Sequence, residues 1–184
     1  MDKKRYTFRG WHKTDYIDFF ISVGSVFMAF LTTLFFSIAA VIKHIPIPQE
    51  VYSIPVGFGI FFFAYIWDSM AHRSVYKEKI DSMELKVHTF MVYYAGFCLF
   101  ASFILAYWFP GLMLSFIIGF MFLKTMYSVY DEIGYHWPRF KAGRSDMIEM
   151  TAHWAQFLGN IVYDVGFMYL IYWNKYEVVK ALFR

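Results

Sequence analysis

The feature that most constrains this chain is a stretch without any charged residue, from position 19 to position 42. In a helix, which rises about 1.5 Å per residue, this stretch reaches across the hydrocarbon core of a bilayer, which is about 30 Å thick. Further uncharged runs lie at residues 51–67 and 89–123, and residues 150–173 are interrupted only by Asp164. A soluble globule does not combine such runs with a charged fraction of only 17%. The sequence therefore predicts an integral membrane protein.

The apolar runs divide into five helices. The longest run exceeds the length of one crossing, and Pro110 and Gly111 interrupt it, so we expect two helices joined by a tight turn there. The predicted fold is all-α and integral to the membrane. It comprises a cytoplasmic amphipathic segment at residues 1–18, a transmembrane domain of five helices at residues 19–173, and an extracytoplasmic tail at residues 174–184.

The distribution of Lys and Arg predicts the orientation, because basic loops resist translocation. Most of these residues lie in the N-terminal segment and in the loops after the second and fourth helices. We therefore expect these three segments, with the N-terminus, on the cytoplasmic side and the C-terminus on the other side. The net charge of +3 is too small and too dispersed for a nucleic-acid surface, and the single cysteine, Cys98, excludes a disulfide framework. The expected partner is the lipid bilayer.

Four of the six histidines follow an acidic residue by four positions. In a helix this spacing places both side chains on one face, one turn apart, where a pair could hold a metal ion. A random arrangement of the same residues would give about half of one such pair. The exceptions are His12 and His44. The pairs are Asp68 with His72, Glu84 with His88, Glu132 with His136, and Glu149 with His153.

The four pairs also repeat as two similar units of helix, short basic loop and helix. This repeat predicts that helices two to five form a four-helix bundle from two hairpins, with the pairs meeting at the cytoplasmic ends of the helices. Helical bundles build di-metal sites from inward Glu and His side chains in this way. The alternative is that the acidic residues form ordinary salt bridges with Arg73, Lys86 or Arg139.

Two charged residues lie deeper in the predicted membrane region. Lys124 comes before the second unit and Asp164 follows His153 by eleven positions. Ionisable groups inside a membrane are costly unless they are paired or functional. We expect an ion pair between the fourth and fifth helices, with a proton path as the alternative.

Several short motifs resemble the C subunit of the copper membrane monooxygenases, the particulate methane and ammonia monooxygenases. The motifs are DSMAH at 68–72, IDSMELKVH at 80–88, DEIGYHW at 131–137 and IEMTAHW at 148–154. The resemblance implies one copper site at Asp68, His72 and His88. It implies a second site at His136 and His153 with Glu132 or its neighbour Asp131, where the family usually has Asn. It also implies that the chain works beside other membrane subunits.

These observations favour a membrane oxidoreductase of the monooxygenase type that acts on a small apolar or lipid substrate. Its cofactors would be one or two transition-metal ions, with copper or iron favoured and zinc possible. One alternative is a zinc-dependent membrane hydrolase, in which the ion activates water. Another is a protein that binds or transports metal ions. The partners could be other membrane subunits or further copies of this chain.

Overall fold

The computed structural model describes residues 7–8, 10–74, 86, 125–143, 147–174 and 177–182, and among these it omits the side chains of residues 72, 74 and 179. The described part is all-helical and contains no β-strand. The predicted third and fourth helices, together with Glu84, His88 and Lys124, lie outside the described residues. His72 is described by its backbone alone. The bundle of two hairpins and the pairing of Lys124 with Asp164 therefore stay predictions.

Six helices and two short irregular turns make up the described chain. Helix α1 spans Lys13–Ile42, a 3₁₀ turn spans Gln49–Tyr52, and α2 spans Ser53–Ser74. Residues 125–131 form α3, which continues through a π turn at Glu132–His136 into α4 at Trp137–Lys141. Helix α5 spans Met147–Tyr172 and the short α6 spans Glu177–Leu182.

The first, second and fifth predicted helices are confirmed as helices. Helix α1 begins at Lys13, six residues before the uncharged run, and α2 continues past Asp68 to Ser74. The observed helices are longer than the predicted uncharged runs because charged residues mark where a helix leaves an apolar layer. The backbone hydrogen bonds of the helix continue beyond that point. Within the described ranges two helices, Lys13–Ile42 and Gln49–Ala71, are long and apolar enough to cross a membrane. Helix α5 is not one of these two.

Helices α2 and α5 approach each other closely along a pair of glycines. A Cβ atom added to Gly159 would lie 2.7 Å from the backbone nitrogen of Phe61 and 2.8 Å from the carbonyl oxygen of Gly57. Next to this contact the rings of Phe58 and Tyr163 stack with their centroids 4.3 Å apart. Small residues that let two backbones touch are typical of helix pairs in membranes. This contact fixes the relative position of α2 and α5.

Helix α1 packs against α2 and is tied to it at one end. The guanidinium of Arg73 forms an ion pair with Asp18, donates a hydrogen bond to the carbonyl oxygen of Ser69 at 3.1 Å, and lies 5.7 Å from the ring centroid of Phe19. Arg73, one of the expected partners for the paired acids, therefore has an ion-pair partner on α1 instead. At the opposite end, Lys43 donates a hydrogen bond to the carbonyl oxygen of Leu182 at 2.7 Å.

The glycine contact can be tested with Gly159→Ala. The added methyl group would force α2 and α5 apart, and overpacking of this kind costs about 1–3 kcal/mol of unfolding free energy. Thermal unfolding of the detergent-purified protein, followed by circular dichroism, should show a lower Tm. Gly24→Ala in α1 is the matched control, because a Cβ atom there would meet nothing within 4 Å. An equal loss in both variants would contradict the close α2–α5 contact.

Candidate metal centre

Six of the predicted site residues converge at one end of the described helices. They come from three segments that are separate in sequence: the last turns of α2, the end of α3 with the π turn, and the first turns of α5. Their side chains surround the imidazoles of His136 and His153, whose ring centroids are 3.5 Å apart. The six residues are Asp68, Asp131, Glu132, His136, Glu149 and His153.

Each imidazole is in contact with two carboxylates, one at each ring nitrogen. For His136, Nε2 lies 3.4 Å from Oδ2 of Asp131 and Nδ1 lies 3.5 Å from Oε1 of Glu149. For His153, Nε2 lies 2.9 Å from Oδ1 of Asp68 and Nδ1 lies 3.4 Å from Oε2 of Glu132. Three of these four contacts join different segments, and the fourth joins residues five apart. The spacing of four had selected five of these six residues and the family resemblance had selected Asp131, but the contacts join other pairs than the spacing predicted.

The π turn explains why Asp131 contacts His136. In an α-helix two residues five positions apart lie about 140° apart around the axis, so Asp131 would face away from His136. A π-helix has about 4.4 residues per turn, which reduces this angle to about 50°. Asp131 and Glu132 can then both face the imidazoles although they are neighbours in sequence. Single π turns inside longer helices occur frequently at functional sites.

The centre is buried and rich in negative charge. His136 is 0% exposed, and Asp68 and Glu149 are each 1% exposed. Four carboxylates face two imidazoles, and burying such charges is costly unless they are compensated. Burial and the adjacent His153 lower the pKa of His136, yet the carboxylates of Asp131 and Glu149 outweigh both effects and raise it above its usual value. The surroundings therefore favour a cation at this position.

The distances fit the donor set of a transition-metal ion. Metal–nitrogen and metal–oxygen bonds are about 2.0–2.2 Å long, so two ligands of one ion lie about 3.4 Å apart at tetrahedral angles and about 3.0 Å apart at octahedral angles. The four contacts of 2.9–3.5 Å fall near these values. The ligand atoms of Asp131, His136 and His153 all lie within 4.8 Å of one another. Movements of less than about 1 Å would bring all three to one ion.

Two further residues concern the prediction of the site: one predicted charged residue lies away from the centre, and one buried residue near the centre was not predicted. Asp164 lies on α5 eleven residues after His153, about 16 Å along the helix, and so is separate from the centre. Tyr65, which the sequence analysis did not single out, is buried about one turn before Asp68 on α2. The spacing of three between Tyr65 and Asp68 was the signal that could have identified it.

The π turn can be tested with Asp131→Asn. If Asp131 faces the imidazoles, removing its charge should weaken binding of a divalent ion at least about tenfold, as losing a supporting carboxylate typically does. Isothermal titration of the purified protein with Zn²⁺ measures this. Asp164→Asn removes an acidic residue outside the centre and should leave the affinity unchanged. Equal affinities of Asp131→Asn and the wild-type protein would indicate a regular α-helix at residues 131–136.

Comparison of the chain with models of known protein families, with curated proteins and with solved structures finds no match. The argument for a metal centre consequently depends on the residues, distances and burial described above. The resemblance to the C subunit of the copper membrane monooxygenases stays a prediction from the sequence motifs.

Proposed function

We propose that this chain is an integral membrane metalloprotein with a di-metal centre at one end of its helices, and that it works as an oxidoreductase, alone or as one subunit of a larger enzyme. Its substrate would be apolar or a lipid. The observation that carries the proposal is the pair of adjacent, buried imidazoles, each of which lies between two carboxylates.

Charge balance supports two ions. Four carboxylates carry four negative charges when the imidazoles are neutral, and two divalent cations would neutralise them. Such a set of four carboxylates and two histidines is also the one that helical di-iron and di-manganese proteins use. Here Asp131, His136 and His153 would hold one ion. Asp68, Glu132 and Glu149 would hold or bridge a second ion, or accept hydrogen bonds from the imidazoles.

Membrane insertion is supported by the surface of the helices. Helix α1 exposes a series of large apolar side chains along its length, and these include Phe20, Phe27, Leu31, Phe35 and Ile42. A soluble monomer rarely exposes a continuous apolar surface of this size. In a membrane, lipid acyl chains would cover this apolar surface, so it would not be exposed to water.

The donor set supports redox chemistry. Two imidazoles with one carboxylate, and further positions left for other ligands, are the arrangement that non-haem iron oxygenases use. The sequence resemblance favours copper, and the excess of carboxylates favours iron. When bound, such an ion supplies electron transfer and activation of oxygen, while the protein holds it in a buried, apolar surrounding.

A zinc-dependent hydrolase is the second candidate. The Nε2 atom of His136 and the Oδ2 atom of Asp131 are 3.4 Å apart, the separation that two ligands of one tetrahedral zinc ion have. Zinc would activate a water molecule for attack on a lipid ester or amide. The metal found in the purified protein distinguishes the two candidates, because zinc is not redox-active.

Elemental analysis of detergent-purified protein tests the metal centre directly. We expect iron or copper at close to two ions per chain in the wild-type protein. His136→Ala and His153→Ala should each reduce this content to near zero, because each removes a nitrogen ligand from the cluster. His72→Ala tests one of the three predicted ligands of the first hairpin whose side chains the structure does not describe, the others being Glu84 and His88.

His44→Asn is the matched control for these variants. His44 lies outside the centre and has a φ angle of 54°, which Asn tolerates better than most residues. Its metal content should equal that of the wild-type protein. A wild-type protein without metal, or full metal content in both His136→Ala and His153→Ala, would contradict the proposed function.

The orientation is tested by fusing a reporter after Arg184. Five crossings from a cytoplasmic N-terminus place this residue on the extracytoplasmic side, so alkaline phosphatase fused there should be active and green fluorescent protein should be dark. The reverse pattern would contradict the five-helix topology. A reporter fused before residue 19 provides the opposite control.

A further inference from the structure

Exposed aromatic residues surround the metal centre at its own level. Each is the direct sequence neighbour of a residue of the centre, so it lies only about 1.5 Å from that residue along the helix axis. We call them the site girdle. It consists of Trp67 beside Asp68, Tyr130 beside Asp131, Trp137 beside His136, and Trp154 beside His153, with exposed fractions of 51%, 52%, 42% and 55%.

A further exposed aromatic residue, Trp173, lies just beyond the far end of α5. Trp173 follows Trp154 by nineteen positions, which is about 28 Å along the helix, and it is 71% exposed. Tryptophan and tyrosine collect at the two membrane–water interfaces, and the hydrocarbon core between these interfaces is about 30 Å thick. The spacing of Trp154 and Trp173 matches this thickness.

On α2 and α4, charged groups lie just outside the site girdle. The ion pair of Arg73 with Asp18 lies five residues beyond Asp68, about 7 Å along α2. The Nζ atom of Lys141 lies 5.1 Å from the ring centroid of Trp137. Lysine and arginine near the end of a membrane helix extend toward the headgroups in this way. The girdle therefore lies at the boundary between acyl chains and headgroups.

One residue of the centre reaches the surface more than the others. The side chain of Glu132 is 24% exposed, whereas the other five residues are at most 7% exposed. Its sequence neighbour Ile133 is 65% exposed. A ligand would thus reach the ions at the π turn, across a surface that is apolar and aromatic.

We propose that the metal centre lies at the headgroup boundary of one leaflet, and that its substrate is an amphiphilic lipid whose reacting part is close to its polar head. This inference rests on the proposed function and narrows its substrate class. An amphiphile places its polar end at the depth of the site girdle and its chain along the exposed apolar helices. A purely apolar molecule would collect deeper in the bilayer, and a small water-soluble molecule would not be concentrated there at all.

Spin labels on α5 test the depth. In a Cys98→Ser background, single cysteines at positions 154, 165 and 173 carry a nitroxide, and the protein is placed in phosphatidylcholine vesicles. Val165 is 58% exposed and lies between the two tryptophans, so its label is the deep reference. The measured quantities are the collision rates of each label with oxygen and with a water-soluble nickel chelate. Label 165 should collide mostly with oxygen, as expected near the midplane. Labels 154 and 173 should collide more often with the chelate, as expected near the two headgroup regions.

The outcomes separate this inference from the proposed function. A label at 165 that is accessible to the nickel chelate and not to oxygen would overturn membrane insertion. A deep label at 165 together with an equally deep label at 154 would overturn only the interfacial position of the centre.

Ligand binding to the Co²⁺-loaded protein in the same vesicles tests the substrate class, with the visible spectrum of cobalt as the readout. Decanoate should perturb the spectrum at a total concentration at least about tenfold lower than acetate, because its chain concentrates the carboxylate at the interface. Decane, which has no polar head, should leave the spectrum unchanged. Equal responses to decanoate and acetate would mean that the centre faces water, and a response to decane would mean an apolar substrate. Either result overturns the proposal.

Discussion

The close contact between α2 and α5 determines the rest of this structure. Gly57 and Gly159 let the two backbones touch, and this contact sets the distance at which Asp68 on α2 meets His153 on α5. A larger side chain at either glycine would separate the helices and open the centre. The candidate metal centre thus depends on two glycines that take no part in its chemistry and that lie about two and three helical turns from it.

The centre itself requires compensation of its charge. Buried carboxylates repel one another, and two imidazoles balance at most two of the four negative charges, even when both are protonated. A bound cation would resolve this conflict, because its charge would offset the repulsion among the carboxylates. The charge also makes the position of each carboxylate important, which is why the π turn at Glu132–His136 matters. It brings two neighbouring acids to two different imidazoles.

The centre lies at one end of the helices, and this location is compatible with the proposed insertion of the helices in a membrane. Charged groups are tolerated where apolar helices end, and the ion pair of Arg73 with Asp18 lies at the same end. A centre in this place is dry enough to strengthen its electrostatic interactions and close enough to the surface for proton and ion exchange. In the proposed membrane setting, this position would allow access from the lipid phase past the aromatic residues beside it.

Local sequence patterns predicted the helical class, the approximate extent of α1, α2 and α5, and five of the six residues at the centre, and the motif resemblance added Asp131. Uncharged runs and the spacing of acids and histidines are local properties of the sequence. They do not depend on how the helices pack against one another. Tertiary structure decided that Arg73 pairs with Asp18, that Asp131 as well as Glu132 faces the imidazoles, and that Asp68 contacts His153. The first outcome depends on the packing of α1 against α2, the second on the π turn, and the third on the glycine-mediated approach of α2 and α5. None follows from regular α-helical spacing, because the π turn changes the helical period and the other two contacts join groups that are distant in sequence.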